Sequence, residues 1–137
     1  MAHPPFHAQV LTPEGEVYDG EVEQVSTRTG VGEVGILARH APMLARLVPA
    51  ELRIHVSESE TIRYAQGHGW LQVFANEARV LISEAVSIED LDAGELRERL
   101  SEAEQRLSEA EDGSEAAQQA EHDVARAKAF IDLAESN

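Results

Sequence analysis

Apolar and polar side chains alternate along most of residues 1–87. Alternation with a period of two is typical of half-buried β-strands, because successive side chains of a strand point to opposite faces of the sheet. The alternating segments recur roughly every 10 residues, which is the spacing of strands in a sandwich or a barrel. The pattern predicts strands at Phe6–Leu11, Val22–Thr27, Leu52–Val56, Thr61–Ala65, Trp70–Phe74 and Ala78–Ser83.

The segments between these strands are rich in glycine, proline, aspartate, asparagine and serine, the residues that turns favour. They predict turns at Pro13–Gly15, Asp19–Gly20, Thr29–Gly32, Pro49–Ala50, Ser57–Glu60, Gly67–Gly69 and Asn76–Glu77. We therefore expect two packed sheets that close over one core.

The segment Gly32–Leu44 begins as an apolar strand interrupted by glycine and ends in a turn closed by Pro42, with His40 at its tip. A general-base role for His40 is disfavoured, because the sequence places no nucleophile or orienting carboxylate beside it. Exposed loops on rigid β scaffolds commonly carry binding sites. We predict that this segment contacts another protein.

The periodicity changes near Ser87, where alanine, glutamate, leucine and glutamine become dominant. Two stripes with helical spacing follow, Leu96, Leu100, Ala103, Leu107 and Ala110, and then Ala117, Ala120, Val124, Ala127, Ile131 and Ala134. Between them, Gly113 suits the end of the first helix and Ser114 suits the N-cap of the second. The pattern predicts an antiparallel helical hairpin over residues 91–135.

The predicted fold class is therefore α+β, with an N-terminal antiparallel β-sandwich domain over residues 1–87 and a C-terminal α-helical hairpin domain over residues 88–137. Alanine contributes little burial energy. We expect the hairpin to be marginally stable by itself and able to detach or rearrange.

The formal net charge of the chain is −15, and residues 88–137 carry 15 acidic and 5 basic side chains. This balance disfavours binding to nucleic acid or to an anionic bilayer and favours a basic protein surface as partner. The chain has no cysteine, no apolar run long enough for a transmembrane helix and no signal-peptide pattern. We expect a soluble, cytoplasmic chain that meets membranes only through another protein.

Catalytic and metal-binding motifs are absent from the sequence. The histidines lack metal-ligand spacing, and Gly30-Val31-Gly32 is shorter than a nucleotide-binding fingerprint. Trp70 is predicted to open a buried strand, although a β-sandwich protein that stacks a ligand on Trp70 is an alternative.

Four motifs occur in a specific order: Leu11–Val22, Gly32–Leu44, Gly67–Val73 and Val80–Ala85, followed by a short acidic linker and two helices. In this order they resemble the epsilon subunit of bacterial F-type ATP synthases along nearly the whole chain. The resemblance implies a non-catalytic rotor subunit of the central stalk. Its sandwich would bind the gamma subunit and the c-ring on the cytoplasmic face of the membrane, and would couple proton-driven rotation to ATP synthesis.

The resemblance also implies which residues form the interface with the gamma subunit and the c-ring. They are Val31, Gly32, Glu33, Arg39, His40, Ala41 and Pro42. Val31 stands where relatives carry a carboxylate that meets the ring, so the ring contact is expected to be more apolar or to use Glu33. Ala38 and Arg39 stand where the family usually has Pro-Gly.

The hairpin of this family inhibits ATP hydrolysis through the catalytic alpha and beta subunits, and in some members it binds ATP. Leu91, Asp92 and Arg126 match parts of the family's ATP pattern and would form a degenerate nucleotide site. Glu95 stands where the pattern has arginine, and a carboxylate repels phosphate. We therefore predict weak or absent ATP binding, no other cofactor and no metal. The acidic hairpin also predicts weak inhibition, with a nucleotide-sensing inhibitory module as the alternative function.

Overall fold

A computed structural model describes residues 3–136 and divides the chain into two compact units between Ser87 and Ile88. Among the described residues, the first unit contains ten strands, and the second contains a short 3-10 helix (Ile88–Asp90) and two α-helices. No helix of the described residues is long and apolar enough to cross a membrane. The α+β class predicted from the sequence is confirmed.

The strands follow one another with short connections. They are β1 (Phe6–Thr12), β2 (Gly15–Val22), β3 (Gln24–Thr29), β4 (Gly32–Ile36), β5 (Met43–Leu47), β6 (Ala50–His55), β7 (Thr61–Gln66), β8 (Gly69–Phe74), β9 (Glu77–Ile82) and β10 (Ala85–Ser87).

Two groups of strands form the layers of the sandwich. One has the order β10-β7-β6-β3 with β4 on the other edge of β3, and the second has the order β5-β8-β9-β1-β2. A single residue pair, Thr29 with Leu47, joins the groups where the end of β3 meets β5. The pair β1–β9 is parallel, whereas the other described strand pairs are antiparallel.

The core consists of the inward-facing side chains of both layers, which confirms the predicted alternation. In β8, for example, Leu71 and Val73 are buried while Gln72 and Phe74 are exposed. The buried apolar residues of this core are Phe6, Ala8, Val10, Val22, Val25, Ile36, Leu47, Leu52, Ile54, Leu71, Val73, Ala78, Val80 and Ile82.

One predicted turn is wrong, because Asp19 and Gly20 lie inside β2. The chain reverses earlier, at Pro13 and Glu14, so that β2 pairs with β1 along its whole length. Gly20 is used for close packing instead: a Cβ atom there would lie 3.0 Å from the hydroxyl oxygen of Tyr18. The turn predicted at Asn76–Glu77 is displaced by one residue, to Ala75–Asn76.

The second unit is a helical hairpin of α1 (Ala93–Glu109) and α2 (Glu115–Ser136). The predicted stripes are its inward faces, with Leu96 and Ala103 buried in α1, and Ala117, Ala120, Ala127 and Ile131 buried in α2. Phe130, which is not part of the predicted stripe, is fully buried as well.

Capping residues set where the two helices begin. The Asp92 carboxylate accepts a hydrogen bond from the Glu95 backbone N–H at 3.2 Å, and the Ser114 hydroxyl accepts one from Ala117 N–H at 3.1 Å. The predicted N-cap role of Ser114 is thus confirmed. Gly113 has φ +78° but lies beyond the end of α1, which stops at Glu109, so its predicted role as the stop of that helix is wrong.

A histidine joins three strands at one edge of the outer sheet face. His7 Nε2 lies 2.5 Å from Asp19 Oδ1 on β2, and its Nδ1 lies 3.1 Å from Glu77 Oε2 on β9. Glu77 also pairs with Arg79 at 3.1 Å. The hydrogen bond to Asp19 is the main cause that raises the pKa of His7, the bond to Glu77 adds to it, and partial burial opposes both.

This cluster predicts a pH dependence of stability. Because folding raises the pKa of His7 above its usual 6.5, protonated His7 stabilises the fold fully below about pH 6.5, and the contribution is lost as the pH rises through the raised pKa. Urea unfolding of the wild type and of His7→Gln, followed by Trp70 fluorescence, should give a free-energy difference that shrinks with rising pH. A difference that stays constant across this range would contradict the prediction.

Candidate subunit interface

The turn between β3 and β4 presents an apolar tip. The Val31 side chain is 100% exposed. The Thr29 hydroxyl holds the turn, since it donates to Gly32 O at 2.9 Å and accepts from Val31 N–H at 3.2 Å. Gly32 has φ +137°, a conformation that a side chain would strain. The Thr29 hydroxyl thus forms its hydrogen bonds within the turn, and the Val31 side chain is what the turn exposes to a partner.

The predicted carboxylate of this turn already has a partner. Glu33 Oε1 lies 3.0 Å from Arg28 Nη2, across the β3–β4 pair. Both side chains are more than half exposed, so the ion pair is weak and exchangeable. Glu33 is accessible to a cationic group on another protein, but it would have to give up its ion pair with Arg28 to form the new one.

The second predicted group lies in the loop between β4 and β5. Arg39 has φ +65°, and its backbone N–H donates to Asn76 Oδ1 at 2.7 Å. His40 N–H donates to Leu37 O at 3.2 Å, and its ring Nδ1 lies 2.7 Å from Ala41 O. The loop is thus fixed to the turn between β8 and β9 rather than free.

The structure does not bring all the predicted interface residues into one cluster. Val31, Gly32 and Glu33 lie at the start of β4, whereas residues 39–42 follow its end. β4 has five residues and is about 13 Å long. The two groups therefore lie at opposite ends of this strand.

An apolar surface on the outer face of β5, β8 and β9 was not foreseen. It consists of Leu44, Trp70, Phe74 and Leu81, which are 69%, 44%, 64% and 39% exposed, and we call these four residues the outer apolar patch. Trp70 is directly opposite Leu81, and Leu44 is opposite Gln72, at the diagonal position to both Trp70 and Phe74. Neighbouring exposed apolar side chains of this kind mark interaction sites.

Trp70 lies at the start of a strand with a buried face, as predicted, but its own side chain is on the exposed face. Both alternating sets of the segment 70–74 are largely apolar, and the core takes Leu71 and Val73 while Trp70 and Phe74 face outward. The Arg46 guanidinium lies 5.4 Å from the centroid of the Trp70 ring, a cation–π distance. The apolar character of both sets was the signal in the sequence that could have indicated an outer patch.

The residues matched to the nucleotide pattern have structural roles in the hairpin. Asp92 caps α1, and Glu95 lies 3.5 Å from Arg99 one turn later. The Arg126 guanidinium stacks on Phe130 at 4.7 Å from the ring centroid. Leu91 N–H donates to Ile88 O at 3.2 Å in the turn before α1.

The hairpin also separates these residues. Arg106 on α1 and Asp123 on α2 form an ion pair at 2.9 Å, so these two positions lie level with each other in the antiparallel hairpin. Arg126 follows Asp123 by one turn of α2, and because the helices are antiparallel it lies level with a point on α1 one turn before Arg106. That point is about 11 residues after Asp92, so Arg126 and Asp92 are roughly 16 Å apart along the helix axis. Among the described residues, no group of three His, Cys, Asp or Glu side chains could hold a metal ion.

Comparison with known proteins identifies the family. Residues 5–88 match the family model of the ATP synthase delta/epsilon chain β-sandwich domain. The chain belongs to the ATP synthase delta/epsilon chain family. The resemblance that the sequence motifs indicated is confirmed, and the family makes the chain a non-catalytic subunit of ATP synthase.

Similar chains from bacteria extend this match beyond the sandwich. The chain is 41% identical over 98 residues to the ATP synthase epsilon chain of Persephonella marina, which covers 72% of each chain. It is 33% identical over 131 residues to the epsilon chain of Halalkalibacterium halodurans, which covers 96% of this chain and 98% of that one. The second match includes the hairpin.

A solved structure shares the fold. A chain in the structure of the OSCP, F1 and c-ring of the Euglena gracilis mitochondrial ATP synthase superposes with a TM-score of 0.77 at 22% identity. The superposition covers 95% of this chain and 82% of that chain. At this level of identity the likeness concerns the fold.

The hairpin geometry predicts that this ATP synthase subunit binds ATP weakly or not at all. Glu95 repels phosphate, and the one matching arginine lies far from Asp92. Calorimetric titration of the full chain with Mg-ATP should give no dissociation constant below about 100 μM. A clearly tighter constant would show that the hairpin forms a nucleotide site by a different arrangement.

Proposed function

We propose that the chain is a rotor subunit in the central stalk of a bacterial, proton-translocating F-type ATP synthase. It couples rotation of the c-ring, through the gamma subunit, to ATP synthesis in the catalytic head. Family membership supports a place in the complex. The observation that carries the finer assignment is the outer apolar patch, which needs a protein partner to cover it.

The gamma subunit is the proposed occupant of this patch. Two of its four residues are aromatic, and buried aromatic side chains dominate the binding energy of protein interfaces. The patch lies on paired strands whose opposite face is the core, so little flexibility is lost when a partner binds. A rigid apolar surface suits a permanent contact that transmits torque.

The c-ring is the proposed partner of the turn that carries Val31. This turn lies at the opposite end of β4 from the loop of His40, so one subunit can contact two partners at once. Val31 offers the ring an exposed apolar tip, and Glu33 offers a carboxylate close beside it. Through this contact the chain would be held peripherally at the cytoplasmic face of the bacterial membrane.

The two compact units are proposed to be separate domains, a sandwich over residues 1–87 and a hairpin over residues 88–137. The small alanine side chains between α1 and α2 bury little apolar area. Regulation through the hairpin is proposed to be weak. Its 15 acidic side chains would meet like-charge repulsion at the acidic segment of the catalytic beta subunits that the family resemblance implies.

A substitution in the patch tests the gamma assignment. Phe74→Ala should weaken binding of the full chain to a complex of the alpha, beta and gamma subunits of its own organism by about tenfold or more, because it removes one of the two aromatic side chains of the patch. Trp70 is the only tryptophan of the chain and lies in the same patch, so its fluorescence can report the titration.

Val31→Ala is the matched control for this test. It truncates a fully exposed apolar side chain that lies outside the patch, so it should bind the same complex as tightly as the wild type. Equal affinities of Phe74→Ala and the wild type would exclude the patch as the gamma contact.

Removal of residues 88–137 tests the role of the hairpin. ATP hydrolysis by the assembled enzyme should remain nearly unchanged, because the acidic hairpin inhibits weakly. A several-fold rise would favour the alternative, a regulatory module that inhibits hydrolysis.

A charge reversal is the opposite test. The combined substitutions Glu98→Lys, Glu102→Lys and Glu104→Lys, at exposed positions of α1, should strengthen inhibition, because they replace negative charges that an acidic segment of the beta subunits would repel.

A further inference from the structure

Backbone conformations that disfavour side chains are concentrated at one point of the sandwich. Among the described residues, three that are not glycine have positive φ: Arg39 (+65°), Ala75 (+52°) and Asn76 (+60°). All three meet where Arg39 N–H donates to Asn76 Oδ1 at 2.7 Å. Strain of this kind accumulates at functional sites, where the surrounding structure maintains it.

Two of these conformations follow from the turn itself. Ala75 and Asn76 are the central residues of a two-residue turn between β8 and β9, a connection that favours positive φ at both positions. No such requirement explains Arg39, for which a glycine would be less strained. The chain thus keeps a cationic side chain at a position where its backbone is unfavourable.

The Arg39 side chain is exceptional in its surroundings. The other arginines of the sandwich have side-chain partners: Arg28, Arg53, Arg63 and Arg79 pair with carboxylates, and Arg46 lies over Trp70. Arg39 is exposed, and within residues 3–136 its backbone N–H forms a hydrogen bond whereas its guanidinium forms no hydrogen bond or ion pair. In a chain with a net charge of −15, an unpaired arginine is available to a carboxylate on another protein.

The location of Arg39 in the sandwich indicates which partner protein could carry this carboxylate. Its hydrogen-bond partner Asn76 lies two residues after Phe74, and its loop leads into β5, which carries Leu44. Arg39 therefore lies at the rim of the outer apolar patch. Interfaces commonly combine an apolar centre with a charged rim that guides association.

We infer that Arg39 forms an ion pair with a carboxylate on the gamma subunit at the rim of the outer apolar patch, and that the hydrogen bond from Arg39 N–H to Asn76 Oδ1 holds the backbone of the loop from which this side chain extends. This inference rests on the proposed function, because it assumes that gamma covers the patch. The charge of the chain opposes an anionic lipid surface as the partner. The ring-facing turn of Val31 lies at the other end of β4.

Four variants of the full chain separate charge from backbone strain. Arg39→Asn removes the charge but tolerates positive φ, Arg39→Gly removes the charge and the strain, and Arg39→Lys keeps the charge. Lys128→Gln is the control, because it changes the net charge equally at an exposed position in α2. Binding to the complex of alpha, beta and gamma subunits is measured by stopped-flow fluorescence of Trp70 at low salt and near 1 M NaCl.

Arg39→Asn and Arg39→Gly should bind roughly three- to tenfold more weakly at low salt, mainly through slower association, and as tightly as the wild type near 1 M NaCl. Arg39→Lys and Lys128→Gln should retain wild-type salt dependence. Arg39→Gly should also raise the unfolding temperature of the chain, so that weaker binding accompanies a more stable fold. A merely structural role of Arg39 would not change the salt dependence of association.

Asn76→Gly tests the positioning contact. It preserves the positive φ of the turn and removes the side-chain acceptor, so it should reproduce part of the effect of Arg39→Asn and add little to it in the double variant.

The outcomes distinguish this inference from the proposed function. If the wild type binds the complex and Arg39→Asn binds with the same rate and salt dependence, the ion pair is excluded while the gamma assignment stands. If Phe74→Ala binds like the wild type, or if the wild type does not bind at all, the assignment of gamma to the patch fails and the inference fails with it.

Discussion

The sandwich depends on β3, because this strand belongs to both layers. Its first half pairs with β6 and its last residue, Thr29, pairs with Leu47 of β5. Backbone hydrogen bonds from Gly30 N–H to Arg46 O and from Val48 N–H to Arg28 O extend this connection. β4 begins at this corner and β5 ends there. The turn of Val31 therefore lies beside the corner, whereas the loop of Arg39, which connects the other ends of the two strands, lies away from it.

The sequence predicted the parts of the fold that repeat with a local period. The strands, the inward residues of the core and the two helical stripes follow from side-chain alternation, which depends only on the geometry of each element. The incorrect turn prediction concerns residues whose structural role depends on contacts across neighbouring strands. Asp19 and Gly20 have the composition of a turn, but Asp19 pairs with His7 and Gly20 makes room for Tyr18. Such cross-strand contacts leave no periodic signal.

The candidate interface could be predicted only in part for the same reason. Composition predicted surface turns or loops at both segments of the candidate interface. In the structure, residues 31–33 form the turn and the start of β4, and residues 39–42 lie in the loop before β5. The outer apolar patch arises from the lateral register of β5, β8 and β9, which are separated along the chain. Trp70–Phe74 is apolar on both faces, so alternation could not indicate which face the core would take.

Most arginines of both units are paired within their own unit, and the exception, Arg39, bears on the proposed role. In the hairpin, arginines join the helices to each other, as in the pairs Arg97–Glu135 and Arg106–Asp123. These exposed pairs contribute little stability and are compatible with the alignment that the buried faces of α1 and α2 adopt. In the sandwich most arginines are likewise paired within the unit, whereas Arg39 extends outward beside the apolar patch. A rotor contact must resist sliding as well as separation. Burial of an apolar surface opposes separation of the two subunits, but it does not prevent one from sliding over the other. The proposed ion pair at the rim of the patch, carried by a hydrogen-bonded loop, would oppose such sliding, because its strength depends on the position of both charged groups.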